Sequence, residues 1–206
     1  MTTIGVLALQ GDFAEHEAVL CRLGVEARQV RRPADLEGLY GLIIPGGEST
    51  TFSRLMLDFD LQGPLKLLIA DQRPVWGTCA GMVVMAKRAS GLSYPTLGAL
   101  DLSVRRNAYG RQVDSFEADI DVPALGPPPF HAVFIRAPVV EEISPDVEVL
   151  ARLSPDAGTP QDSVVAVRQG NLLATAFHPE LSGDTRFHRY FLDMVESDKE
   201  RRTSPR

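Results

Sequence analysis

A chain of 206 residues, 44% of them hydrophobic and 23% charged, has the length of one ordinary to large domain and the composition of a globular protein rather than a disordered one. A formal net charge of −6 argues against electrostatic binding of nucleic acid, and no apolar run reaches membrane-spanning length. No metal-ligand spacing joins the two cysteines, Cys21 and Cys79, to the four histidines, so no metal centre is expected.

Residues 4–9 form a continuous apolar run, which predicts a central parallel strand, with Gln10-Gly11-Asp12 as the turn after it. Residues 13–23 have helical periodicity and Gly24 is the stop. Cys21 falls in line with Ala14 and Ala18 and is expected to be a buried thiol, of the free kind that suits a reducing compartment; His16, between Glu15 and Glu17, reads as a solvated or interface histidine. The amino terminus enters its strand within a few residues without a basic and apolar leader, so the expected location is the cytoplasm.

A second strand follows at 25–30. The third, 41–45, runs into Gly46-Gly47-Glu48-Ser49-Thr50-Thr51 ahead of a helix containing Phe52, Leu55 and Met56. A glycine pair between strand and helix frees backbone N–H groups to meet an anion or carbonyl, with Ser or Thr as helix cap. The Gly-Lys-Ser/Thr of a P-loop is missing, so a small carboxylate or oxyanion fits better than a nucleotide; a plain turn is the alternative. After a helix at 65–70, Pro74 to Trp76 closes a buried strand, and residues 80–86 are small and apolar enough for a helix.

Cys79 sits at that change of structure. Gly77-Thr78-Cys79-Ala80-Gly81 is the cysteine version of the G-x-S-x-G elbow, in which flanking glycines allow close approach and the central side chain is exposed on a strained turn. The following helix terminus favours a negatively charged sulfur, and the Ala80 N–H could receive the oxyanion of a tetrahedral intermediate. A buried structural cysteine is the other reading. Four strand–helix alternations predict a parallel sheet covered on both faces, and the turns after residues 10, 45 and 78 all fall at its carboxyl edge, where ligands gather.

From residue 92 the segments 100–104, 115–122, 132–135, 147–153 and 164–176 are short and alternating, which predicts an antiparallel extension of one sheet edge, with a hairpin tip at Gln169-Gly170-Asn171. Residues 126–129 and 154–162 are expected surface loops. A last helix at 184–196 completes a single domain over 1–198, with 199–206 expected to be a disordered tail.

Before that helix stands His178-Pro179-Glu180. Proline biases His178 to an extended conformation, which puts His178 and Glu180 on one side, so that the carboxylate can set the tautomer of an imidazole facing a thiol. Cys79, His178 and Glu180 are therefore a candidate triad. His131, after a proline run, and His188, beside Phe187 and Tyr190, are weaker candidates for a base.

In these residues the chain resembles the class I, triad-type glutamine amidotransferases, and within them the glutaminase subunits of pyridoxal 5'-phosphate synthase. The class is carried by Gly77 to Gly81 and His178 to Glu180. The narrower likeness is carried by Gly5-Val6-Leu7-Ala8-Leu9-Gln10-Gly11-Asp12, by Pro45 to Thr50, by Arg106-Asn107-Ala108-Tyr109-Gly110-Arg111-Gln112 with Asp114 to Glu117, and by Phe134-Ile135-Arg136-Ala137-Pro138. Ser182 in place of threonine and a long 154–162 loop are small departures.

The resemblance implies a flavodoxin-like three-layer α/β sandwich and hydrolysis of L-glutamine to L-glutamate and ammonia. Cys79 would be the nucleophile, His178 the acid and base, and Glu180 its holder. Gly47 and Ala80 would form the oxyanion hole, and Gly47, Glu48, Ser49, Arg106, Ile135 and Arg136 would contact glutamine. It implies no cofactor on this chain. It also implies a pyridoxal 5'-phosphate synthase partner of barrel form that accepts the ammonia and whose docking, in part through Gln10 to Asp12, activates the glutaminase. A glutaminase serving histidine, purine or anthranilate synthesis would share the elbow and the His-Pro-Glu but not the Gln10 and Arg106 blocks. A regulatory protein without turnover is the non-enzymatic alternative.

Overall fold

The computed structural model of the protein describes residues 2–106, 115–154 and 163–203. Its first half alternates β1 (Thr3–Leu7), α1 (Phe13–Arg22), β2 (Glu26–Val30), β3 (Gly41–Ile44), α2 (Ser49–Asp58), α3 (Gln62–Ala70), β4 (Val75–Thr78) and α4 (Ala80–Met85). The second half supplies β5 (Ala86–Ser90), β6 (Leu100–Arg105), β7 (Ser115–Ile120), β8 (Phe130–Ile135), β9 (Val139–Ile143), β10 (Glu148–Leu153), β11 (Ser163–Gln169), β12 (Leu172–Thr175) and α5 (Arg186–Thr203).

A seven-stranded sheet runs β10-β11-β12-β4-β3-β1-β2. The five strands from β12 to β2 are parallel, and β11 and β10 add to them antiparallel. This is the flavodoxin-like arrangement that the resemblance implies. β1, β3, β4 and β12 are buried at every residue, as strands covered on both faces must be, whereas edge strand β2 keeps a polar, half-exposed face.

The second half differs from expectation in two respects: β12, within the segment 164–176 expected to extend the sheet edge antiparallel, pairs parallel to β4 in the middle of the main sheet, and the other strands divide among separate sheets. Among the described residues of this half, only β10, β11 and β12 join the main sheet; β6 lies between β5 and β9 in a three-stranded sheet, and β7 pairs with β8. Strand β5, Ala-Lys-Arg-Ala-Ser, is not foreseen from the sequence, because its charged residues stay exposed and its small ones look like a continuing helix.

Parallel pairing fixes where the site is. β12 pairs with β4 in register from Leu172 opposite Val75 to Thr175 opposite Thr78, so Cys79 and the 176–178 segment leave the sheet side by side. Ile44 lies opposite Gly77, so the Gly46-Gly47 turn leaves at the same edge. Trp76, Phe130, Phe134, Phe177, Phe187 and Phe191 are all fully buried, and Phe187 meets Phe130 and Phe177 edge-on at 4.9 and 5.3 Å between centroids. This cluster ties α5 and β8 to the segment carrying His178.

Three expectations need correction. Cys21 is exposed, because α1 buries His16, Val19 and Leu20 instead of the small-residue line Ala14, Ala18, Cys21; the larger side chains gain more from burial. His16 is accordingly buried rather than solvated. Residues 199–203 are not a disordered tail but the last turn of α5, held by Arg202 to Asp198 at 2.7 Å and to Asp71, with cations at the negative end of the helix. Residues 107–112 of the Arg106 block, and 155–162 of the expected 154–162 loop, lie outside the described residues.

Candidate active site

Cys79 joins β4 to α4 with φ 48° and ψ −102°, a conformation that costs a non-glycine residue about 1–3 kcal/mol. The neighbours that hold it there are glycines. A Cβ on Gly81 would run into the carbonyl oxygen of Ile44, and one on Gly77 would stand 2.6 Å from the carbonyl carbon of Gly81. The Cys79 N–H donates to Thr175 at 2.8 Å, tying the bend to β12. The sulfur is 3.7 Å from the carbonyl oxygen of Ile135, and Ala80 opens the helix, so its N–H has no acceptor within the helix.

The glycine turn after β3 is held by β1. Asp12 N–H donates to Gly46 O at 3.3 Å, and Glu48 N–H donates to Gln10 Oε1 at 3.2 Å. Because the peptide is trans, the Gly47 N–H points away from the carbonyl that Asp12 has taken. Gly47 adopts φ 146°, and a Cβ there would strike the Gln10 amide. The cap of α2 is Glu48 rather than a hydroxyl residue: its oxygens accept from Thr50 N–H at 3.0 Å and Thr51 N–H at 2.7 Å. Burial works against this carboxylate, but those donors outweigh it and hold its pKa down to about 2. Glu48 also accepts from Arg106 Nη2 at 2.7 Å, while Arg106 Nη1 donates to Gly91 O at 2.8 Å.

His178 is buried, with Nδ1 2.8 Å from Glu180 Oε1 and 3.2 Å from Asp12 Oδ2. Burial lowers its pKa, but Asp12, the Cys79 sulfur and Glu180 outweigh it and push it up to about 12. Burial pushes Glu180 up, and its hydrogen bond from His178 opposes that. Asp12, His178 and Glu180 offer ligand atoms within 4.8 Å of one another, a spacing that could hold an ion.

Cys79, Ala80, His178, Gly47, Glu48, Ser49, Arg106, Ile135 and Arg136 line one cleft of about 350 Å³, together with Gln10 and Asp12. Glu180 stands behind His178 with its side chain fully covered. Arg136, like Cys79, has a positive φ, 43°, directly after β8. His131 lies elsewhere, exposed between Asp119 and Glu117, which raise its pKa through hydrogen bonds. Sequence reasoning misses two contributors to this region. Asp12 reads as a turn residue, and His16, flanked by glutamates, reads as solvated; its signal is the apolar pair Val19 and Leu20 three and four residues on.

Comparison with known proteins identifies the family. Pyridoxal 5'-phosphate synthase subunit PdxT of Moorella thermoacetica is 56% identical over 192 residues, covering 93% of this chain and 98% of the relative. The protein of the same name from Dehalococcoides mccartyi is 56% identical over 198 residues, covering 95% and 98%. A crystal structure described as a glutamine amidotransferase superposes with a TM-score of 0.85 at 49% identity, over 94% of this chain and 98% of its own. The structure of PurLQS from Thermotoga maritima, 14% identical over 95% of this chain and 98% of its own with a TM-score of 0.68, shares the fold. The SNO glutamine amidotransferase family matches residues 6–197, and with the relatives above it shows that the chain belongs to that family, as the motifs at Cys79 and His178 led us to expect.

Proposed function

We propose that the protein hydrolyses L-glutamine to L-glutamate and ammonia through Cys79, His178 and Glu180, and passes the ammonia to a pyridoxal 5'-phosphate synthase subunit. The observation that carries this is the strained Cys79 at the mouth of a cleft, beside a His178 whose far nitrogen Glu180 holds at 2.8 Å. The thiolate attacks the side-chain amide carbon, and His178 gives its proton to the departing nitrogen, leaving a thioester on Cys79. His178 then takes a proton from water, which attacks the thioester and releases glutamate. The N–H groups of Gly47 and Ala80 receive the oxyanion in both steps. Arg106, aimed by Glu48, suits the amino-acid carboxylate, and Ser49, Ile135 and Arg136 complete the wall.

Ammonia released into water is protonated and ceases to be a nucleophile, which favours direct transfer to a partner. The relatives' name, that of a synthase subunit, supports a synthase partner; in this reading the partner is a barrel-type synthase that docks over the cleft, and a biosynthetic role of this kind supports a cytoplasmic location. Among the described residues no helix is long and apolar enough to cross a membrane. The test is glutaminase turnover with and without the synthase. Equal amounts of glutamate and ammonia, stimulated by that synthase and absent in Cys79→Ala, are expected; stimulation by a different synthase alone would overturn the pathway.

A further inference from the structure

Asp12 breaks a rule of helix ends. It caps the start of α1, where an aspartate ordinarily accepts from N–H groups of the first helical turn, yet its side chain makes no such bond. Its Oδ2 lies instead 3.2 Å from Nδ1 of His178, which Glu180 Oε1 already holds at 2.8 Å. The surrounding backbone makes room for this contact. The Asp12 N–H donates to Gly46 O at 3.3 Å, and a Cβ on Gly46 would stand 3.0 Å from Asp12 Oδ2 and against Cε1 of His178, so a glycine there lets the two side chains meet.

Two carboxylates therefore share one N–H. Asp12 lines the cleft and keeps 35% of its side chain exposed, within a partner's reach, whereas the Glu180 side chain is fully covered. Against burial, Asp12 from the turn after β1, Cys79 from the β4 bend and Glu180 each raise the pKa of His178. His16, from α1, has its own pKa lowered well below the usual histidine range, by burial and then by the charges of His188 and His178. When the thioester forms, the sulfur loses its charge, and of the three groups that raise His178 only Asp12 and Glu180 still act. An imidazole that takes a proton from water must be bare at Nε2, and each carboxylate on Nδ1–H favours the form with hydrogen on both nitrogens. Glu180 is enough to orient the ring; a second carboxylate shrinks the bare fraction and moves the base away from the working pH, where exchange is fastest.

We infer that Asp12 is a brake on His178: in the free chain its carboxylate holds Nδ1–H together with Glu180, and a synthase seated over the cleft turns it back to cap α1, leaving the ring to Glu180. The inference rests on the roles proposed for Cys79, His178 and Glu180 and on the proposed partner, and names how docking reaches the base. Rotation of one side chain suffices, because the N–H groups that Asp12 would cap belong to the residues directly after it.

The test is glutamine hydrolysis by the full chain, free and with saturating synthase, in the parent, Asp12→Asn and Asp12→Ser. Both replacements cap helices and carry no charge, so α1 is kept. In the free chain each should raise the rate of glutamate release about 10-fold, and with the synthase each should come within about 3-fold of the parent, so that the stimulation factor falls. The pH profile reads the cause. Activity of the free parent should go on rising into a more alkaline range than that of either variant, and the parent with synthase should follow the variants. Free-chain rates that are unchanged or lowered, or coincident pH profiles, overturn the inference. If Cys79→Ala turns over like the parent, the catalytic reading fails instead; if the synthase leaves the parent unstimulated, the partner reading fails, and the free-chain comparison still decides whether Asp12 restrains His178. Should neither variant fold, histidine NMR titration of the parent decides: the synthase should lower the pKa of His178, and an unchanged value overturns the inference.

Discussion

Asp12 reaches the same nitrogen of His178 that Glu180 holds, its Oδ2 3.2 Å away against 2.8 Å for Glu180 Oε1. One N–H thus faces two acceptors, one buried and one at the rim of the cleft. Asp12 comes from the turn after β1 and Glu180 from the segment after β12, so the position of the imidazole depends on two elements that are distant in the chain.

Asp12→Asn should therefore lower the pKa of His178, now about 12, while leaving Glu180 as its partner. A histidine raised on folding contributes stability that is full below its unfolded value, about 6.5, and is lost as pH rises through the folded value. In the parent protein that loss spreads over pH 6.5 to about 12; in Asp12→Asn it should be complete at lower pH. Histidine NMR titration and melting temperature against pH read both effects.

Cys79→Ala should abolish glutamine hydrolysis and keep the fold. Because φ at this position is 48°, Cys79→Gly should melt higher than Cys79→Ala, by about 1 kcal/mol of relieved strain. Denaturant unfolding of the two variants compares them; equal stability would mean that the bend stores no strain.

Glu48→Gln removes a charged cap and the anchor of Arg106. We expect a loss of about 1 kcal/mol at neutral pH and a KM for glutamine raised about 10-fold with kcat little changed. A carboxylate depressed on folding stabilises above its unfolded pKa of about 4.3, and the effect disappears as pH falls toward the folded value of about 2. The melting curves of parent and variant should accordingly converge between those two pH values.

Gly46→Ala would place a methyl group against Cε1 of His178. The ring must move, so kcat should fall about 100-fold with overall stability much less affected. A crystal structure of the variant should show the imidazole displaced from Glu180.

Much of this is readable in the chain itself. The apolar runs ending at Gln10, Pro45 and Thr78 specify parallel strands, and the edge they share follows from the pairing of β1, β3 and β4. The elbow and His178-Pro179-Glu180 are legible because glycine and proline constrain backbone locally. Less legible is anything set by tertiary packing. Helical spacing on α1 offers two faces, Ala14-Ala18-Cys21 and His16-Val19-Leu20, and only the fold, which packs His16 against Trp76 and His188, decides between them. The separate sheet of β5, β6 and β9 is hidden for the same reason, since alternation says that a strand has two faces but not which strands it joins.

The place of β12 has a consequence for the nascent chain. It is the central partner of β4 and β11, yet it is made about a hundred residues after β4, and α5, which brings His188, comes later still. At a synthesis rate of about 5–20 residues per second, the Cys79 bend has left the ribosome for several seconds before the strand that anchors its N–H exists. During translation the thiol therefore has neither the His178 imidazole beside it nor its backbone clamp, and the cleft is completed only as the carboxyl-terminal segments close the middle of the sheet.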